Sequence, residues 1–243
     1  MSLFRTILFV AALAGIGTGL VGAALHLLTT VPLILKAETF EQAEAAAPAH
    51  SHADAAAHTA GAQESAAHEH DDEAWAPADG LERNGLTLLF TVLTGFGFAL
   101  LLVAASEIAG GLQNWHQGVI WGLAGFAVFT LAPGLGLPPE LPAMPAGDLA
   151  ARQIWWVGTA AATAGGLALL AFGRSPLLAL TGVALIVAPQ LIGAPQPESF
   201  ETAIPEALHH NFVVASVAVS FVFWTLLGGL AGWLRPRLAA PAA

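Results

Sequence analysis

NWHQGVIWGLAGFAVFTLAPGLGLPPELP, residues Asn114–Pro142, is the stretch whose reading decides the fold class. It opens on a polar turn carrying Trp115, His116 and Gln117, runs on as an apolar span from Val119 to Leu137, and closes on Leu137-Pro138-Pro139-Glu140. The span approaches the roughly 20 helical residues needed to cross a hydrocarbon core. Gly118, Gly122 and Gly125 recur along it at steps of four and three, so one helical face carries no side chains and invites close packing by another helix. Pro133 removes a backbone donor near the far end and is expected to bend or locally open the helix. The stretch reads as one span of a packed helical membrane protein.

Composition extends that reading to the whole chain. Of 243 residues, 56% are hydrophobic and only 10% charged, against about 25% charged in a soluble domain. Cysteine is absent, which excludes a disulfide framework and thiolate metal ligation. A net charge of −10 with 7 basic residues argues against nucleic acid as a partner and suits attraction of cations. The expected fold is all-α, a polytopic protein of about six transmembrane helices in a lipid bilayer, with a long disordered exterior loop. Residues 1–36 form the first transmembrane helix, 37–84 the loop, and 85–243 a bundle of five helices.

The first span is read over Ile7–Leu35, too long for a secretory signal and without a clean cleavage site. Gly15, Gly19, Gly22 and His26 step along it by four, three and four, leading a small-residue face to an imidazole. Glu38 to about Glu82 lacks hydrophobic periodicity and is rich in Ala, acids and His, the composition of a disordered loop. Further spans are expected at Leu86–Ile108, Val119–Leu137, Ile154–Phe172, Pro176–Ile192 and Phe212–Leu234; the short fifth span of the chain, bounded by prolines, is the one least able to cross. With the N-terminus cytoplasmic, Arg5, Arg174, Arg235 and Arg237 lie inside and Lys36, Arg83 and Arg152 outside, a small bias of the right sign that places both termini in the cytoplasm.

Candidate metal ligands gather in the loop. His50-x-His52 and His68-x-His70 each present two imidazoles on one side of an extended chain, His58 lies between them, and Asp71, Asp72 and Glu73 add carboxylates. Imidazole and carboxylate without thiol suit Co²⁺, Ni²⁺ or Zn²⁺; the alternative is a solvated low-complexity loop. His26, inside a span, is either a functional ligand or a structural hydrogen bonder. Glu206, His209 and His210, just ahead of the last span, either relay a cation from the loop or only terminate a solvated segment. Glu107 falls a quarter turn off the small face Gly95, Ala99, Leu102, Ser106 and is expected at the headgroups. The sequence contains no GxxxxGK[ST], HExxH or GxSxG, so neither P-loop ATP binding nor these hydrolase sites are written in it, and no enzyme activity is expected.

The chain resembles the CbtA family of probable cobalt transporter subunits. The resemblance is carried by WAPADGLER (Trp75–Arg83), TGFGFALLL (Thr94–Leu102), WHQGVIWGLAGF through GLPPELP (Trp115–Pro142), ARQIWW (Ala151–Trp156), APQPE (Ala194–Glu198) and FVFWTLLG (Phe221–Gly228), in one order over almost the whole chain. A glycine commonly follows the family's ELP element, where this sequence has Ala143. The resemblance implies an inner-membrane protein of prokaryotes taking up Co²⁺ as its transported ion, with no permanently bound cofactor. It also implies a partner, a small single-span CbtB-like subunit with a His-rich end. It transfers no site residues.

Overall fold

The computed structural model describes residues 2–46, 78 and 80–239, and every regular element among them is a helix. In chain order these are α1 (Leu3–Leu28), α2 (Thr30–Ala46), α3 (Leu81–Ile108) and α4 (Trp115–Phe126), which continues through a π-helical turn (Ala127–Leu131) into the short α5 (Ala132–Gly136). Then follow α6 (Leu149–Phe172), α7 (Pro176–Ile192) and α8 (Glu206–Leu238). Five apolar stretches are long enough to cross a membrane: Leu3–Leu28, Leu81–Ile108, Trp115–Gly136, Leu149–Phe172 and Glu206–Leu238. The remaining expected span, the fifth in the chain, is α7, which has 17 residues, about 25 Å of helix against a hydrocarbon core of about 30 Å.

The first span differs from expectation. It breaks at Thr29 rather than running to Leu35, because the ring of Pro32 would strike the carbonyl of Leu28 in a continuous helix. Restarting at Thr30 places Pro32 in the first turn of α2, where no N–H has an intrahelical partner to lose. The new helix runs to Ala46, past the expected loop start at 37, since KAETFEQAEAA is rich in the good helix formers Ala, Glu, Lys and Gln. At the other boundary, α3 begins at Leu81, inside the expected loop. The remainder of that loop lies outside the described residues.

Glycine contacts join the helices in pairs. Gly15 of α1 lies against the backbone of Gly95 and Phe96 on α3, and Gly19 against Val92. Gly118 and Gly122 of α4 meet Gly228 and Gly232 of α8, and Gly166 of α6 meets Gly182 of α7. α8 then packs along α1, joining the first two pairs around Val10, Ala14, Ala99, Val103, Leu227 and Ala231. At one end, here the α2 end, Ala37 clusters with Leu141, Ile204, Leu208 and Phe212. Ion pairs Arg83–Glu38 (2.7 Å) and Arg152–Glu140 (2.6 Å) tie neighbouring segments there.

At the opposite end Glu107 accepts two hydrogen bonds from Arg235, at 2.9 Å from Nε and 2.8 Å from Nη2. The side chains are only 14% and 15% exposed, so Glu107 is not the headgroup-exposed residue its helical position suggests. The turn after α3 accounts for the difference. Gly110 and Gly111 both take positive φ, and Gly111 folds its bare backbone against the Arg235 guanidinium, where any Cβ would collide. This end therefore carries the C-termini of α3 and α8 together.

A side chain at Gly122 would occupy the place of the Trp224 carbonyl, whereas Leu123 is partly exposed. Gly122→Leu is expected to reduce folded protein in the membrane far more than Leu123→Ala, measured by detergent-stable yield; equal yields would mean the face is not packed. Glu107→Leu strands the Arg235 charge and is expected to cost roughly 3 kcal/mol. Adding Arg235→Met should recover most of that loss in thermal unfolding, and a double variant no more stable than the single would show the pair uncoupled.

Candidate functional site

The glycine face of α1 determines where its imidazole sits. With Gly15 and Gly19 pressed on α3 and Gly22 beside Thr91, the last turn of α1 carries His26 to the seam between α1, α3 and α8. His26 Nδ1 lies 2.9 Å from Thr30 Oγ1, and the same hydroxyl donates to the His26 carbonyl at 3.2 Å. With its proton on that carbonyl, the hydroxyl oxygen accepts from Nδ1–H. Nε2 then keeps the lone pair that a metal ion needs. The break at Thr29 thus supplies the residue that orients the ring.

His26 borders a cavity of about 290 Å³ that also meets Thr91 and Thr94 of α3, Thr130 of the π-turn and Ser220 of α8. The rest of its wall is aromatic: Phe90, Phe98, Phe129, Phe223 and Trp224. Thr91 Oγ1 donates to the Thr87 carbonyl at 2.6 Å and keeps acceptor capacity. The site therefore offers one imidazole and four neutral hydroxyls, with neither carboxylate nor thiol. Such a set suits a divalent cation that retains part of its water shell.

Thr130 and Phe129 reach this wall through the local chemistry of Pro133. A proline there has no N–H for the Phe129 carbonyl, and its ring would clash with it. The ladder slips instead to five-residue spacing, with Ala132 N–H donating to the Ala127 carbonyl. Beside this turn, Gln190 Nε2 of α7 donates to the Ala132 carbonyl at 2.9 Å. The local opening expected at Pro133 is this π-turn.

The other candidate ligands are scattered. His209 Nε2 donates to the Pro139 carbonyl at 3.2 Å, while Glu206 occupies the first turn of α8, where a carboxylate favours the helix dipole. His210 is exposed beside them. Among the described residues no three His, Asp or Glu side chains come together to hold a metal ion, so His26, Glu206, His209 and His210 are not one preassembled site. His50, His52, His58, His68, His70, Asp71, Asp72 and Glu73 lie outside the described residues. His116 stacks on Trp115 at 3.6 Å in the opening turn of α4, away from the cavity. The four cavity hydroxyls were missed by reading the sequence for titratable ligands. Thr91 alone carried a signal, lying four residues ahead of Gly95 on the packed face of α3.

A family model described as CbtA, probable cobalt transporter subunit, matches residues 4–235, nearly the whole chain. No curated protein and no solved structure gives a significant match. The match supports a role in cobalt transport for a multi-pass membrane protein that acts as a subunit. Ala143, which follows the ELP element, has φ +63°, in the left-handed region that favours glycine. It holds the turn between Leu141 and Met144 and its carbonyl accepts from Thr202 at 3.2 Å. Ala143→Gly is therefore expected to stabilise the protein by about 0.5–1 kcal/mol, seen as a raised unfolding midpoint. A lowered midpoint would mean that the alanine is not strained.

Proposed function

Because this chain belongs to the CbtA family of probable cobalt transporter subunits, we propose that it takes up Co²⁺ across the cytoplasmic membrane of a prokaryote. Both termini are cytoplasmic on this reading, and the α2 end faces outward. His50, His52, His58, His68 and His70, with Asp71, Asp72 and Glu73, capture the ion, and Glu206, His209 and His210 stand near its point of entry. The His26 cavity is the first station within the bundle. That cavity is the observation that supports the reading: among apolar helices it gathers an oriented imidazole and four hydroxyls. Ni²⁺ and Zn²⁺ satisfy the same donors.

No nucleotide-binding motif supplies energy, so the ion's gradient and the membrane potential drive entry. A divalent cation gains about 4.6 kcal/mol per 100 mV on moving inward. The chain binds no permanent cofactor and performs no covalent chemistry. Its partner is a small single-span CbtB-like subunit that adds a His-rich end. A second reading, a metal-binding accessory subunit that conducts nothing, is favoured by the family's description as a subunit and by the absence of a three-ligand metal cluster among the described residues.

Radioactive cobalt entry into liposomes holding the purified chain separates these readings. Replacing His50, His52, His68 and His70 by Ala should reduce entry at scarce cobalt and leave it near normal when cobalt is abundant, because capture then no longer limits the rate. His26→Ala should reduce entry at every concentration, by roughly tenfold or more. If the chain alone admits no cobalt but does so with its partner, the accessory reading replaces this one. A silent His26→Ala variant removes the cavity from the route.

A further inference from the structure

Two cavities share one wall. The His26 cavity takes Thr91 and Thr94 from α3 and Thr130 from the π-turn. A second, apolar cavity of about 520 Å³ takes Leu101 and Ala105 from α3 and Ile120 and Ala124 from α4. Phe98, Phe129 and Trp224 line both. Chain order places these rings between the two spaces. Along α3, Phe98 falls between Thr94 and Leu101; along the antiparallel α4 and π-turn, Phe129 falls between Ala124 and Thr130. The second cavity therefore lies on the Arg235 side of the wall.

The rings close on one another. Their centroids stand 5.1 Å apart for Phe98–Phe129, 4.8 Å for Phe98–Trp224 and 5.5 Å for Phe129–Trp224, the last pair stacked within 5°. Three rings at these contact distances leave no passage at their centre. They are not held equally. Trp224 is buried, with bare Gly125 against its indole. Phe129 sits within the π-turn, where the helical ladder has already slipped and Pro133 gives its carbonyl no N–H. The Phe129 backbone is therefore held by fewer ladder bonds than a regular helix supplies, so its ring can swing without breaking an α-helical hydrogen bond from position 133.

We propose that Phe98, Phe129 and Trp224 form the closed gate of the cation's route, and that the π-turn is the hinge that withdraws Phe129. The proposal rests on the His26 cavity being a station on that route. An apolar constriction excludes water, and with it a hydrated cation, until one of its side chains moves. Withdrawal of Phe129 joins the two cavities and leaves two aromatic faces toward the passing charge.

The chain has no cysteine, so single introduced thiols report alone. Ser220→Cys places one in the His26 cavity and Ala124→Cys one in the second cavity. A membrane-impermeant thiol reagent presented only to the α2 side of sealed vesicles should label Ser220→Cys and spare Ala124→Cys. Adding Phe129→Ala should raise labelling of Ala124→Cys from that side about tenfold or more, as expected for a breached apolar gate, and should increase passive Co²⁺ leak. Phe129→Leu, closer in bulk, should shift both in the same direction by less and serves if the alanine variant fails to accumulate. The gate is overturned if Ala124→Cys labels as fast as Ser220→Cys with Phe129 intact, or if neither Phe129 substitution changes its rate. Failure of Ser220→Cys to label instead overturns the route reading beneath the gate.

Discussion

Where Gly118 and Gly122 meet Gly228 and Gly232, two helix backbones touch with no side chain between them. In water, apolar side chains would drive such helices together; in lipid the surroundings are as apolar as the helices, and close contact must supply the attraction instead. The same arrangement recurs between Gly15 and Gly95 and between Gly166 and Gly182. It fixes the three helix pairs and, through them, which side chains face the bundle interior. His26 lies at the cavity because the α1 seam holds its helix against α3 in one rotation. Trp224 fills the wall because Gly125 leaves room for its indole.

Departures from regular helix occur where the chain places polar groups. Thr29 interrupts α1 ahead of Pro32, and Thr30, the next residue, holds the His26 ring. The π-turn precedes Pro133 and carries Thr130 to the cavity and Phe129 to its wall. In both places a proline two or three residues downstream makes the regular ladder impossible, and part of the irregular stretch is buried in protein, as at Thr30 and Val128. This is the condition under which a membrane tolerates non-helical backbone. Gln190 ties this irregular stretch to α7, since its side chain donates to the Ala132 carbonyl.

The small-residue faces of α1, α3 and α4, the six apolar stretches and the polar tip of α1 were legible in the sequence, because periodicity at three and four residues is a local property; their glycine partners on α8 and the α6–α7 seam were not. Pro133 also announced its own disturbance. What could not be read was set by tertiary approach. The Glu107–Arg235 pair joins residues 128 apart through a turn made possible by two positive-φ glycines, and helical projection alone sent Glu107 the wrong way. The cavity hydroxyls were invisible for a different reason: Thr and Ser are common in membrane helices, and only the convergence of three elements gives Thr91, Thr130 and Ser220 a shared space. The helix of α2 beyond Lys36 was hidden by its polar composition, which signalled a loop although its propensity favours helix.

The distribution of charge bears on how the proposed route would work. The ion pairs of the described residues stand at the two ends of the bundle, Arg83–Glu38 and Arg152–Glu140 at one and Glu107–Arg235 at the other. Between them the cavity is neutral. A carboxylate facing the ion there would bind it strongly in a medium of low dielectric and oppose its departure, whereas conduction requires a site weak enough to leave. One imidazole and several hydroxyls can replace part of a hydration shell without adding a net charge to hold the ion. On this reading the acids serve where cations are gathered, and the neutral donors serve where they must be released. The aromatic wall then sets when release occurs, because a weak site open on both sides would let its ion escape in either direction.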